Sequence, residues 1–182
     1  MILHAALTVQ QSPAAIIVVQ SPDTDVLILC IAHFTNIACE ESWFRKGVRD
    51  LQRYIPVHTI QRSLGDRICQ SLPAFHALTG CDSTSSIAGI GKKKAWKVLK
   101  QSTAHQKTLG LFGWQQDLNE MTVTSTEAFI CHLYPVTRRS TSTTDELRYL
   151  MFCQRNTNNE MLPPTSDCLK LHLNRSCHVV YS

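Results

Sequence analysis

Three aspartates and a run of lysines are the residues of this chain best suited to chemistry on a phosphodiester. Asp23 and Asp25 are separated only by Thr24, so in an extended backbone their carboxylates point to the same side. Two carboxylates so placed are costly unless a cation, water or basic groups compensate them. Oxygen-rich sites suit magnesium or manganese, and two such ions ~3.5–4 Å apart can activate water and stabilise a leaving oxygen. The competing reading is structural: Asp23 caps the following helix and Asp25 sits in its first turn. Further along, the segment from Gly80-Cys81-Asp82 to Ser86-Ile87-Ala88-Gly89-Ile90-Gly91 leads directly into Lys92-Lys93-Lys94-Ala95. Gly89 and Gly91 bracket Ile90, and glycine permits a tight turn whose N–H groups approach a ligand closely. Lys92, Lys93, Lys94, Lys97 and Lys100 follow, with no acidic residue between Ser83 and Lys100, and a helix start adds a favourable dipole for phosphate. Nucleic-acid backbone is the natural counter-charge. The competing reading here is a helix entry with a solvated basic face.

These groups need elements to position them. Ala14 to Val19 is an uncharged, largely β-branched run that reads as a central strand buried on both faces. It places Asp23 and Asp25 just past a strand end, where open α/β sheets hold their ligands. Val26 to His33, apolar up to Ala32, reads as a buried helix or strand. Trp43-Phe44-Arg45 and Arg53 to Val57 read as a peripheral hairpin turning at Gly47 to Asp50. The spacing predicts a helix over 58–64 stopped by Gly65, and another capped by Asp66 and interrupted at Pro73. Ala95, Val98 and Leu99 give the lysine segment an apolar face. Helical patterns recur over 126–134, 145–153 and 167–175, with Asp145 and Asp167 as caps and Ser140 to Thr144 as a polar linker.

In their order and spacing, Asp23-x-Asp25 after a hydrophobic strand, Gly80-Cys81-Asp82 closing an apolar helix, and Ser86-Ile87-x-Gly89-Ile90-Gly91-x-Lys93-x-Ala95 resemble the flap endonuclease and 5′-exonuclease superfamily, within the PIN-like fold. The resemblance covers about residues 14 to 105. It implies an α/β, PIN-like fold with a partial parallel sheet and a helix-hairpin-helix at 83–101, to which the helical patterns beyond residue 105 add C-terminal helices. The expected organisation is a nuclease-like core over 1–105 and a helical extension over 106–182 packed on it. It also implies that Asp23, Asp25 and Asp82 converge as ligands of Mg2+ or Mn2+. A potassium ion would sit between phosphate and the hairpin at Ser86, Ile87 and Ile90, with Gly89, Gly91, Lys92, Lys93, Lys94 and Lys97 on duplex or branched DNA. No acidic residue precedes Asp23, so the metal shell expected of such nucleases is incomplete here. Segments like Tyr54 to His58, Phe75 to Asp82 and Leu162 to Asp167 are also similar to stretches of long animal proteins, and the chain reads as a fragment of one.

Three function classes follow: a divalent-metal-dependent, structure-selective nuclease-like module, a non-catalytic nucleic-acid-binding domain, and a phosphatase of the haloacid dehalogenase type. The last is suggested by Asp23-Thr24-Asp25-Val26. It ranks last, because Ser21-Pro22 separate the strand from the acid and the second acid of a late Gly-Asp motif is missing.

Composition bounds these readings. The 182 residues are 43% hydrophobic with net charge +4, enough for a core, and too mildly basic for global charge to argue nucleic-acid binding. None of the eight cysteines forms a C-x-x-C pair, and without a secretory signal they read as free buried thiols of an intracellular protein; the expected location is nuclear. Cys168, His172, Cys177 and His178 lack the regular paired spacing of a zinc site. No apolar run reaches the ~20 residues that span a bilayer, so no membrane partner is expected.

Overall fold

The computed structural model describes residues 1–12, 14–112, 118–134, 141–154 and 158–181. The fold is mixed α/β, mostly helical with a small three-stranded mixed sheet. Its contacts divide it into two compact units, Met1–Pro73 and Ala74–Ser182. The division falls after Pro73, within a helix.

In the N-terminal unit, α1 (Ile2–Gln11) starts at Met1 with no side-chain cap and no acid in its first turn. Strand β1 (Ile17–Gln20) is followed by α2 (Thr24–Ala32), the short α3 (Phe34–Ile37), β2 (Ser42–Lys46) and β3 (Arg53–Pro56). The strand order is β1-β2-β3, parallel between β1 and β2 and antiparallel between β2 and β3. The pairing is parallel only between β1 and β2, and β2–β3 is a hairpin, because six residues join β2 to β3, far fewer than a parallel crossover needs. Within that turn Gly47 has φ +92°, and a Cβ there would lie 2.3 Å from the Leu51 carbonyl oxygen. The presumed peripheral hairpin also supplies the middle strand: Phe44 of β2 is fully buried. β1, expected as a central strand, pairs on one side only, and Ile16 and Val18 are 61% and 52% exposed. A uniformly apolar run carries no period to say which face is covered.

α4 (Val57–Leu64) continues straight from β3 and buries Val57, His58 and Gln61. His58 Nδ1 lies 3.0 Å from the Ser42 carbonyl and 3.3 Å from the Ser42 N–H, tying α4 to the middle strand. Gly65, at φ +80°, ends the helix as its spacing predicts. Asp66 is the first residue of α5 (Asp66–Leu78), with the Gln61 amide donating to its carboxylate. α5 is not interrupted at Pro73, which lies inside the helix. The proline removes one N–H without ending the turn.

The C-terminal unit adds α6 (Lys92–Gln101), α7 (Thr103–Leu111), α8 (Glu120–His132), α9 (Thr144–Phe152) and α10 (Ser166–Tyr181). Their apolar faces meet in one core that includes Leu78, Leu99, Leu109, Phe129, Leu147 and Leu173. Its polar hinge is Glu127, a buried acid on α8. Glu127 Oε1 accepts from Thr144 N at 2.8 Å, Thr144 Oγ1 at 2.9 Å and Ser166 Oγ at 2.7 Å. Thr144 is therefore a fully buried junction rather than linker; Ser140 lies outside the described residues. The caps also differ from expectation. Thr143 caps α9, and Thr165 Oγ1 accepts from Cys168 N, while Asp145 accepts from Ser166 N at 3.0 Å. Threonine is an N-cap residue as aspartate is, though a weaker one, and here the Asp145 carboxylate is taken by Ser166 N.

Candidate nucleic-acid interface

The loop over residues 79–91 is built by its small polar residues. Gly80 has φ +97°, and a Cβ there would stand 2.9 Å from the Ser86 backbone, so the chain folds back across it. Thr84 holds that fold: its hydroxyl donates to the Ala77 carbonyl at 2.6 Å and accepts from Cys81 N at 3.2 Å. Asp82 and Ser83 form the exposed tip of the resulting Cys81–Thr84 turn. Beyond it the side chains of Ile87 and Ile90 are buried, with Ile90 N donating to the Ile87 carbonyl at 3.1 Å. Residues 83–91 contain turns and no helix. The expected helix-hairpin-helix over 83–101 is thus one loop and one helix, the Thr84 hydroxyl being bonded to the main chain at Ala77 and Cys81 in competition with helix.

The turn itself is held from three directions. Tyr134 Oη donates to the Ala88 carbonyl at 2.8 Å; burial pushes the Tyr134 phenol up to about 12, so it remains a donor at any ordinary pH. Gly89 has φ +69°, and Met161 lies over it, its Cε 2.8 Å from where a Cβ would stand. Gly91 is the extended cap residue of α6, its carbonyl accepting from Lys94 N and Ala95 N. α6 then buries Ala95 and Leu99 completely and sets Trp96 edge-on against Phe75 at 5.6 Å. This leaves Lys92, Lys93, Lys94, Lys97 and Lys100 exposed, with no acid in the first turn. Lys92 Nζ donates to His76 Nδ1 at 2.8 Å, which gives that histidine a packing role at the base of the loop. Arg138 and Arg139 lie outside the described residues.

The aspartates present a different picture. Asp23 caps α2, its Oδ1 accepting from Asp25 N at 2.8 Å, while its own N–H donates to Ser21 Oγ at 3.1 Å. Nearby, Lys46 Nζ donates to Thr24 Oγ1 at 3.1 Å. Asp23 and Asp25 belong to the N-terminal unit and Asp82 to the C-terminal one. Among the described residues no three His, Cys, Asp or Glu side chains are grouped to hold a metal ion. At the positions matched to potassium, the Ile87 carbonyl already accepts from Ile90 N and Ser86 is exposed.

Sequence reasoning missed Tyr134, Met161 and Thr84 as supports of the turn. Nothing in their spacing marks them, because each acts across a long chain separation or through its own hydroxyl. Glu127 did carry a signal: an acid three residues before Ile130, on the side of α8 that the apolar pattern buries. Burial lifts the thiols of Cys30, Cys69 and Cys131 to about 11, as free core cysteines require. Cys153 and Cys168, by contrast, are exposed. No helix among the described residues is long and apolar enough to cross a membrane. No family model, curated protein or solved structure matches this chain.

Proposed function

We propose that the C-terminal unit is a sequence-independent nucleic-acid backbone-binding module, gripping phosphate with the Gly89–Gly91 turn and the first turns of α6. The observation that carries the reading is the division of α6 into a fully buried Ala95/Leu99 side and an exposed lysine side that starts at an uncapped glycine. A helix N-terminus and lysines together favour a polyanion, and phosphate contacts of this kind position a duplex without reading its sequence. In this reading Gly89 lets the main chain approach the backbone, Lys93, Lys94 and Lys97 neutralise it, and Lys92 is oriented by His76.

A metal-dependent nuclease is the second reading, favoured by the exposure of Asp82 in the same loop as the turn. Asp23, Asp25 and Asp82 would then supply oxygens to Mg2+ or Mn2+, and Ser86, Ile87 and Ile90 a potassium site. The bound divalent ions would activate water. Asp23 enters this reading already engaged as a helix cap, and on that ground binding ranks above cleavage.

The test is duplex binding by the full chain across a salt series. Replacing Lys92, Lys93 and Lys94 by alanine should weaken binding and flatten the slope of log affinity against log salt by roughly 2–3, at about 0.9 per phosphate contact. An unchanged slope would identify the lysines as a solvated face. A labelled flap incubated with manganese, magnesium or chelator reports the second reading, for which metal-dependent cutting lost in Asp82→Asn is the required outcome.

A further inference from the structure

The C-terminal unit holds a groove to which the basic helix α6 contributes no lining residue. One wall is the loop over residues 85–88, the other is α10, and Leu162 and Pro164 complete it. Cys168, Leu171, His172 and Arg175 share the α10 wall because they stand at i, i+3, i+4 and i+7, along one side of a helix. The groove has a volume of about 390 Å³, within the range of small-molecule sites. We propose that it is a binding site for a small amphipathic carboxylate, an apolar chain or ring whose acid group rests on Arg175.

The lining argues the ligand's class. Ile87, Ala88, Leu162, Pro164 and Leu171 give the groove its apolar surface. Ile87 and Leu162 are buried, whereas Leu171 stands 71% exposed, an apolar side chain that its own fold leaves uncovered, and an apolar body laid against it removes that surface from water. The charge is one-sided. Among the described residues no Asp or Glu lines the groove, and Arg175, exposed on α10, has no hydrogen-bond or ion-pair partner. His172 is already tied to the fold, its Nε2 donating to the Leu78 carbonyl at 3.0 Å. Arg175 is thus the permanent cation of the site, and the planar fork of a guanidinium matches a carboxylate through two parallel hydrogen bonds. The hydroxyls of Ser85 and Ser86 on the facing wall add donors for the same group. A phosphate monoester carries close to two charges at neutral pH and would find one cation here, so carboxylate is the better match. At about 30 Å³ for each water-sized group, the volume takes roughly a dozen non-hydrogen atoms, the size of a medium-chain fatty acid or a two-ring aryl acid. Because no α6 lysine lines the groove, the site does not rest on the proposed grip on nucleic acid.

The test is titration of the full chain with octanoate, and with 2-naphthoate as a ring-shaped probe, followed by backbone amide signals. The amides of Ile87, Ala88, Leu171 and His172 should shift together and saturate. Octanamide, the same body without the charge, should bind at least about fivefold more weakly, and so should propionate, which keeps the charge and loses the body. Arg175→Gln, at an exposed side chain, should fold normally and weaken octanoate at least about fivefold while leaving octanamide unchanged. Leu171→Gln should weaken both. Octyl phosphate binding more tightly than octanoate would overturn the choice of carboxylate. Shifts confined to Lys92, Lys93 and Lys94, no saturable shift at Ile87 and Ala88 with either acid, or Arg175→Gln binding octanoate like the parent chain would overturn the site.

Discussion

The N-terminal unit and the C-terminal loop handle their charged residues in opposite ways. In the first, Asp23 is spent on a local task, closing the start of α2, and the strand leading to it is a sheet edge with Val18 half exposed. In the second, neutral groups carry the local structure: Thr84, Tyr134 and main-chain bonds shape the loop, while the lysines of α6 remain at the surface. A charged residue that its own fold does not need is the better candidate for a partner. That contrast is why the lysines, rather than Asp23, anchor the functional reading. It can be broken or sharpened by substitutions ranked by their expected effect.

The largest effect belongs to Glu127. Glu127→Ala strands the buried Thr144 N–H and leaves the Thr144 and Ser166 hydroxyls only each other, and should cost about 3 kcal/mol. Glu127→Gln keeps an acceptor and should cost clearly less. Denaturant unfolding measures both, and equal losses would mean that the carboxylate is not the organising acceptor. Next comes Gly89→Ala, at about 1 kcal/mol for the left-handed backbone, with a further cost for moving Met161. Duplex binding should fall with it. A stable Gly89→Ala chain with unaltered binding would detach the turn from the grip.

What the sequence made legible follows from where its signals are local. The end of α4 at Gly65, the sidedness of α6 and the presence of the three C-terminal helices all come from glycine conformation and apolar period, which act within a few residues. The placement of β1 at an edge did not, because Ile16 to Val19 is apolar at every position and only a neighbouring strand decides its exposure. The mixed sheet turned on the shortness of the Gly47 to Gln52 connection, which the hairpin reading had recognised without asking which strand it would feed. The loop over 83–91 differs for another reason: a family pattern suggested helix where the Thr84 hydroxyl finds backbone partners. For the site, Gly89, Gly91 and the lysines were readable. Their supports, Tyr134 and Met161, come from distant sequence and were not.

A smaller effect separates cap from ligand at Asp23. Asp23→Ala should cost about 1 kcal/mol as a lost N-cap, whereas Asp23→Asn, an equally good cap, should cost almost nothing. Asp82→Asn, in an exposed turn, should stay within about 0.5 kcal/mol. If magnesium or manganese stabilises the parent chain and Asp23→Asn and Asp82→Asn both abolish that gain, the aspartates share an ion, and the contrast between the regions is wrong. If neither substitution changes a metal response, Asp23 is a cap alone.

The smallest effect is a pH slope, and each unit carries one source of it. His33 in the N-terminal unit has its pKa lowered by burial, and His105 in the C-terminal unit by burial and then by His132, whose Nδ1 lies 2.8 Å from His105 Nε2. A histidine whose folded pKa lies below its unfolded value binds its proton more readily in the unfolded chain. Stability is therefore unaffected well above pH 6.5, falls as pH drops through the unfolded pKa, and levels off below the folded one. Replacing His105 by Gln should flatten this acid-side decline for the amides of α7 and α8 while leaving α2 and α3 unchanged. His33→Gln should do the reverse. Urea unfolding between pH 7.5 and about 5, followed by resolved amide signals from each unit, separates the two. An unchanged slope in the α7 and α8 signals of His105→Gln would mean that the pair carries its second proton as easily folded as unfolded, and the close contact between the rings would then have no electrostatic consequence.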